Sequence, residues 1–224
     1  MTRSLVPAFT LLLKDFRSEL RTRYALNALL MFVITTISII LFSLGSETIS
    51  PEVLSGMLWI IIFFSSMSGL SRTFVSEEER GTVMTLHLLA RPLTVYLGKL
   101  LFNLILLTIL NVVTVALYVV VMSDFVIRNY VIFLSSVALG TIGLASAATI
   151  IAAIIAKANT RGTLYPVLSF PVLLPLFMTV VHATQLALEG EEVGQAISDF
   201  QVLISYFVVI TTVSYLLFEY IWKE

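Results

Sequence analysis

The chain has 224 residues, of which 58% are hydrophobic and only 12% are charged, and its mean hydropathy is +1.02. A soluble domain carries about 25% charged residues, so this composition excludes an ordinary soluble enzyme and a disordered protein. The formal net charge of −1 excludes the basic surface that nucleic-acid binding requires. Without cysteine the chain has no disulfides, no thiolate metal sites and no thiol catalysis. An integral membrane protein is the class that remains.

The first 26 residues predict an amphipathic helix rather than a cleaved signal peptide. Leucine and aromatic side chains share one helical face, formed by Phe9, Leu12, Leu13, Phe16, Leu20 and Tyr24. Basic side chains group on another face, formed by Lys14, Arg17 and Arg21. This pattern is typical of a helix that lies in the cytoplasmic interface of a lipid bilayer, with a bend at Asn27 into the first span. The alternative is a helix that packs on a soluble partner.

Six apolar stretches are long enough to cross a bilayer, which requires about 20 residues. They cover approximately 27–44, 53–71, 100–122, 130–156, 164–182 and 201–221. The fourth stretch is longer than a bilayer requires, so it is expected to tilt in the membrane or to project from it. We therefore predict an all-α integral membrane protein with a single transmembrane domain over 1–224. It consists of six transmembrane helices, an interfacial helix over 1–26 and a short cytoplasmic helix in the loop 72–99.

The distribution of basic residues predicts the orientation in the membrane. If the N-terminus is cytoplasmic, Arg128 is the one residue of the 13 Lys and Arg that falls on the outer side. Because basic residues are enriched in cytoplasmic loops, both termini are expected to be cytoplasmic.

The sequence offers no means of driving transport by itself. Ion-coupled carriers place charged residues near the bilayer midplane, and no Asp, Glu, Lys or Arg lies in the middle of any of the six stretches. A P-loop is missing, because Gly98-Lys99 is followed by Leu100 and has no glycine at the required upstream spacing. No catalytic triad or metal cluster is visible. We expect a non-enzymatic subunit with no bound metal, for which another subunit supplies the energy.

The loop 72–99 predicts a short apolar helix. Gly81 supplies a turn, Thr82 is a plausible N-cap, and the helix runs to about residue 90, where Arg91-Pro92 ends it. Thr94 is expected to cap the helix that follows. An exposed helix this apolar needs to be covered by another protein. The alternative is that residues 77–80 are only a solvated charged run.

Four short motifs in this region carry a resemblance to a known family. They are Gly-Leu-Ser-Arg-Thr-Phe at 69–74, Glu-x-Glu-x-Gly-Thr at 77–82, Leu-x-Leu-Leu-Ala-x-Pro at 86–92 and Gly-Lys-Leu-Leu-x-Asn at 98–103. In this order and spacing they resemble the membrane subunits of ABC-2-type exporters. More narrowly, they are similar to the CcmB family, the haem-exporter membrane subunit of the cytochrome c maturation system. Chain length, six spans and the stretches at 140–145 and 157–161 also fit.

The resemblance implies that 82–90 is a coupling helix that docks on a separate CcmA-type ATPase, in which ATP is bound. The coupling residues it implies are Glu77, Glu79, Arg80, Gly81, Thr82, Leu86 and Leu89. It also implies a location in the bacterial cytoplasmic (inner) membrane and CcmC, CcmD and CcmE-type haem-handling partners. The cargo would be haem, which is exported or is released with its chaperone on the outer side. Two copies of the chain, or one copy with a related subunit, would give a complex with the twelve spans usual for such exporters.

Other residues are candidates for gating and packing. Pro166, Pro171 and Pro175 predict kinks in the fifth span, which would line an internal or lateral surface as gating elements do. Small residues in the fourth span allow close helix approach, notably Gly140, Gly143 and Ala147. The close helix contact lies either within the bundle of one chain or at the interface of a dimer. Asn103, Asn111 and Tyr118 in the third span are expected to find partners on other helices.

His182 is the candidate for contact with haem, because an imidazole near the outer membrane surface can ligate iron. The alternative is an interfacial histidine bonded to backbone or water. Residues 183–200 are predicted to form the longest outer loop, with short amphipathic helices. For the whole chain two functional alternatives stay open: an ABC-2 permease for a lipid, glycan or drug, and a membrane scaffold that transports nothing.

Overall fold

The computed structural model describes residues 11–17, 24–44, 48–70, 73–74, 81, 88, 91–157 and 164–223. Within these ranges the regular structure is helical, with no strand. We number the helices α1 (11–17), α2 (Tyr24–Leu44), α3 (Pro51–Leu70), α4 (Pro92–Val121), α5 (Tyr130–Lys157), α6 (Leu164–Glu189) and α7 (Val193–Lys223). Helices α2 to α7 are long and apolar enough to cross a membrane, as predicted.

Helix α5 forms the centre of the bundle. In an apolar stretch of 18 residues in α5, 78% of the residues are buried inside the protein, compared with 17% in α2 and 11% in α7. It packs against α4, α6 and α7, while α3 packs against α2, α4 and α6. Because α2 and α7 are apolar but little covered, their outer faces suit contact with lipid.

Small residues on α5 allow this central packing. A Cβ atom on Gly140 would lie 2.4 Å from Cη2 of Trp59 on α3, and one on Gly143 would lie 2.7 Å from Cδ1 of Leu176 on α6. Ala147 is fully buried. All three predicted packing residues therefore lie inside the bundle, where their small side chains let neighbouring helices approach α5 closely.

Helix α4 begins earlier than the predicted span. It starts at Pro92 instead of residue 100, because proline suits the first helical position, where the missing N–H has no helical partner. The prediction that Thr94 caps this helix is wrong. Arg91 occupies the N-cap without a side-chain hydrogen bond, and the Thr94 backbone N–H donates to the Arg91 carbonyl at 2.9 Å.

Two further expectations about element boundaries are wrong. Residues 183–200 do not form a long loop, since α6 continues to Glu189 and α7 starts at Val193. A tight turn at Gly190, with φ of 84°, suffices to join them, and glycine adopts this left-handed conformation without strain. No bend occurs at Asn27, which lies inside α2.

One end of the bundle, which we call the acidic end, consists of residues 48–52, 122–129 and 189–193. Its acidic residues are Glu52, Asp124, Glu189, Glu191 and Glu192. Backbone N–H groups of Arg128 and Asn129 donate to the carbonyl of Ala187, and the Asn129 side chain donates to the Glu191 carbonyl at 2.8 Å. These bonds hold the start of α5 to the turn between α6 and α7. The opposite end, with α1 and the start of α4, we call the basic end.

Candidate functional site

The chain that leads into the predicted coupling segment is anchored in the bundle. Thr73 and Phe74 follow α3 and are both buried. The Thr73 hydroxyl donates to Oδ1 of Asn103 on α4 at 3.0 Å, and Nδ2 of Asn103 donates to Oγ1 of Thr149 on α5 at 2.9 Å. This buried network joins the segment to two helices, and it supplies the interhelical partner predicted for Asn103.

Aromatic rings strengthen this attachment. The Phe74 ring centroid lies 5.8 Å from that of Phe218 on α7, and Tyr96 on α4 lies 5.2 Å from the same ring. Trp222 stacks on Phe218 at 5.5 Å. Aromatic pairs at these distances contribute about 0.5–1.5 kcal/mol each beyond their buried area. The segment after α3 is thus packed against α7 and hydrogen-bonded to α4, and Tyr96 joins α4 to the same group of rings.

Helix α1 is attached to the same region by a buried ion pair. Nζ of Lys99 on α4 lies 2.8 Å from Oδ2 of Asp15, and the two side chains are only 3% and 10% exposed. Lys99 Nζ also lies 6.0 Å from the centre of the Phe74 ring. The N-terminal helix, the start of α4 and the segment after α3 therefore meet at one point.

This pair was not predicted from the sequence, where Lys99 counts only as a cytoplasmic charge and Asp15 has no assigned role. A usable signal was that Asp15 lies three residues after Leu12 and so shares a helix side with it. Leu12 is buried, whereas Leu13 is 38% exposed. Of the predicted apolar face, Phe9 and Leu20 lie outside the described residues, and the interfacial role of α1 stays a prediction.

Most of the predicted coupling residues lie outside the described part of the chain, namely Glu77, Glu79, Arg80, Thr82, Leu86 and Leu89. Gly81 is described. It is exposed and lies in a turn with φ of 66°, a left-handed conformation that favours glycine. The turn predicted at Gly81 is confirmed.

The proline-rich helix α6 borders α7. Pro166 lies in its first turn, and Pro171 and Pro175 lie in its interior, where each lacks the N–H that would bond to the carbonyl four residues earlier. The hydroxyl of Tyr206 on α7 donates to the Val172 carbonyl at 3.0 Å, between the two interior prolines. This bond joins α7 to the stretch between the prolines, whereas the carbonyls that lose a helical donor are those of Val167 and Pro171. The gating role of these prolines stays a prediction.

A variant of one interior proline tests whether the interrupted helix matters. In Pro175→Ala a regained N–H can bond to the Pro171 carbonyl, so we expect stability in detergent to rise by up to about 3 kcal/mol and transport to fall. The measurements are thermal unfolding and transport in vesicles. The matched control is Pro51→Ala, at the first position of α3, where no bond is regained. Unchanged transport in a stabilised Pro175→Ala protein would contradict the gating prediction.

A lateral groove of about 570 Å³ lies between α3 and α6. Its walls are apolar, formed by aliphatic side chains such as Ile60 and Leu174, the thioether of Met178, and five aromatic side chains: Trp59, Phe63, Phe64, Phe170 and Phe177. Phe177 makes edge-to-face contacts with Trp59 at 6.4 Å and with Phe63 at 5.1 Å. Trp59 is further held by Nε1, which donates to Oγ1 of Thr184 at 2.9 Å. The groove depends on the pairing of α3 with α6, which a single sequence does not reveal.

His182 lies at the acidic mouth of this groove, together with Glu52 and Gln185. Its Nδ1 atom is 2.8 Å from Oδ2 of Asp199 on α7, and the imidazole side chain is 57% exposed. His182 was predicted from the sequence but its partner was not, because Asp199 falls in the predicted outer loop 183–200. In the part of the chain that the structure describes, no three His, Asp or Glu residues are grouped so that they could hold a metal ion.

Six long apolar helices, five of them around the buried central helix α5, with separate acidic and basic ends, define a multi-pass helical membrane protein. A family model described as CcmB protein matches residues 6–218. The chain therefore belongs to the CcmB family, which confirms the resemblance seen in the sequence. This membership identifies a membrane component of haem export in cytochrome c biogenesis. Comparison with curated proteins gives no match, and comparison with solved structures gives none either.

Proposed function

We propose that the chain is the permease subunit of an ABC transporter complex that functions in cytochrome c maturation. In this proposal a separate CcmA-type ATPase hydrolyses ATP, and the permease couples that hydrolysis to haem export or to release of a haem-loaded chaperone. The complex lies in the bacterial cytoplasmic membrane, with both termini of the permease cytoplasmic. The observation that carries the proposal is the CcmB family match over residues 6–218.

The geometry at the basic end supports coupling. A force applied to residues 77–90 would reach the bundle through Thr73 and Phe74, which are bound to α4, α5 and α7. It would also reach α1, because Lys99 joins Asp15 beside Phe74. Because protein interiors are close-packed and transmit strain, a displacement of the segment 77–90 would displace the helices that Thr73 and Phe74 contact.

The distribution of buried charge supports an external source of energy. Among the described residues, the buried charged side chains are Asp15 and Lys99, and they pair with each other at the basic end. A coupling ion or proton would need a carboxylate or a basic group near the midplane. We therefore propose that the chain is non-catalytic and that its energy comes from ATP bound in the partner.

Partner proteins have suitable surfaces on this molecule. The outer faces of α2 and α7 are apolar and exposed, as for Phe42 at 84% and Tyr220 at 74%. Such faces suit lipid, a second copy of the chain, or the membrane helices of CcmC and CcmD-type proteins. The acidic end, on the side opposite the ATPase, is where the CcmE-type haem chaperone would act.

Charge reversal in the coupling segment tests the proposal. In the complex purified with its ATPase, Glu79→Lys is expected to lower ATP hydrolysis to the level of the ATPase alone, since it removes an acidic group from the proposed contact. The matched control is Glu192→Lys at the acidic end, which should leave hydrolysis unchanged. Co-purification with full activity for Glu79→Lys would contradict coupling through this segment. An ATPase that never co-purifies with the wild type would instead favour a scaffold.

A further inference from the structure

We propose that the groove between α3 and α6 binds a metalloporphyrin, with Nε2 of His182 as the axial ligand of the metal. The choice of haem as that metalloporphyrin rests on the proposed function. The geometry that points to this class of ligand is an oriented imidazole at the mouth of a groove with aromatic walls.

The His182 imidazole is oriented as a metal ligand. An ionised carboxylate can only accept a hydrogen bond, so Nδ1 of His182 carries the proton and donates to Asp199 Oδ2 at 2.8 Å. Nε2 then has its lone pair free of that bond, on a side chain that is 57% exposed. A carboxylate that fixes the tautomer and raises the basicity of the coordinating nitrogen is the usual second partner of metal-bound histidine.

The surroundings of His182 indicate that the metal must bring its own equatorial ligands. Within the described ranges, no three His, Asp or Glu side chains are placed to hold a bare ion together. A single imidazole is too little for tight binding of a free divalent metal, which takes at least three protein ligands even in open sites. A porphyrin supplies four nitrogen ligands in one plane and leaves the axial positions for the protein.

The walls of the groove suit a flat conjugated ring. Its volume of 570 Å³ lies within the range of about 300–1,000 Å³ that is typical of small-molecule sites. Along α3 it extends from Glu52 to Phe64, a rise of about 18 Å at 1.5 Å per residue. Trp59 and Phe63 are buried behind the wall, whereas Phe64, Phe170 and Phe177 have accessible rings that can contact a planar macrocycle by stacked or edge-to-face packing.

Among the described residues that line the groove, His182 carries the one imidazole. Met178 precedes His182 by one turn on the same helix, so these two side chains cannot reach opposite faces of one macrocycle. We therefore expect five-coordinate haem with an open sixth position. A lipid acyl chain would also fit the apolar walls, but its binding would not depend on an imidazole.

Porphyrin titration of the full chain in detergent, with its partner subunits, tests the proposal. The probes are ferric protoporphyrin IX and metal-free protoporphyrin IX, followed by the Soret absorption of the former and the fluorescence of the latter. We expect His182→Gly to weaken binding of the ferric probe and shift its Soret band, and added imidazole to restore both. Metal-free porphyrin should bind equally to the wild type and to the His182→Gly variant. Asp199→Ala should weaken ferric binding by about 10–100-fold, the usual effect of losing such a partner.

The control variant is His87→Ala, which removes the other histidine of the chain and should leave the ferric spectrum unchanged. If His182→Gly binds both probes as the wild type does, porphyrin binding does not depend on this imidazole and the proposal is overturned. Failure of imidazole to restore the spectrum would overturn it as well. Either result leaves ATPase coupling at Glu79 intact, so failure of this site and failure of the proposed function are distinguishable.

Discussion

Replacing Lys99 with methionine is expected to detach helix α1 from the bundle. The substitution leaves the Asp15 carboxylate buried without its 2.8 Å ionic partner. Removing one member of a buried ion pair typically costs about 3–5 kcal/mol, because the remaining charge is left uncompensated. Limited proteolysis of residues 11–17 and thermal unfolding in detergent measure the effect, and we expect rapid cleavage in this segment together with a lower unfolding temperature.

A double variant separates the ion pair from general damage. Lys99→Met combined with Asp15→Leu removes both charges, and such apolar replacements are often neutral or stabilising, so protection of α1 should return. Arg17→Met changes an exposed cation on the same helix and is the matched control, with an expected effect within about 0.5 kcal/mol. A Lys99→Met protein as stable as the wild type would show that the pair does not hold α1.

Gly140→Ala is expected to disturb the contact between α5 and α3. The added methyl group would lie 2.4 Å from Cη2 of Trp59 and 2.9 Å from Cγ1 of Val180, so the Trp59 ring must move. Its movement strains the 2.9 Å hydrogen bond from Nε1 to Thr184. Overpacking of this kind costs about 1–3 kcal/mol, which thermal unfolding and tryptophan fluorescence can measure.

Two comparisons make this prediction specific. Gly56→Ala on α3 is the matched control, because nothing lies within 4 Å of the added methyl group. In a helix interior that change should stabilise by about 0.5–1 kcal/mol. Trp59→Phe should reduce the cost of Gly140→Ala, since the two residues share one contact and their effects are coupled. If Gly140→Ala is as stable as the wild type, α5 and α3 do not approach each other at this residue.

The helical content and the number of long apolar helices could be predicted from the sequence, because they depend on composition and on the length of each apolar stretch. Long stretches without charge have few alternatives in a bilayer, where each backbone group must be bonded within its own helix. The family resemblance depended on motifs, such as Glu-x-Glu-x-Gly-Thr at 77–82, and it was confirmed. Helix boundaries could not be predicted as well, because hydropathy does not distinguish an amphipathic helix end such as 193–200 from a loop.

The contacts that form the candidate sites could not be predicted. Two whole spans, α2 and α3, lie between Asp15 and Lys99 in the sequence, and the partner of His182 lies on the following helix. Both pairs depend on which helices become neighbours, and no periodicity in a single chain specifies that. The predicted role of His182 as a metal ligand used only the chemistry of imidazole; Asp199 and the aromatic groove became visible once α3, α6 and α7 were placed together.

Photo-crosslinking from the predicted coupling segment measures most directly whether an ATPase docks on this chain, as proposed. A photoreactive amino acid replaces Leu86 in one variant and Glu192, at the acidic end, in another, in membrane vesicles that contain the complete complex. We predict that position 86 crosslinks to the nucleotide-binding subunit and that position 192 does not. Capture of that subunit from position 192 but not from position 86 would contradict the proposed coupling and the proposed orientation together.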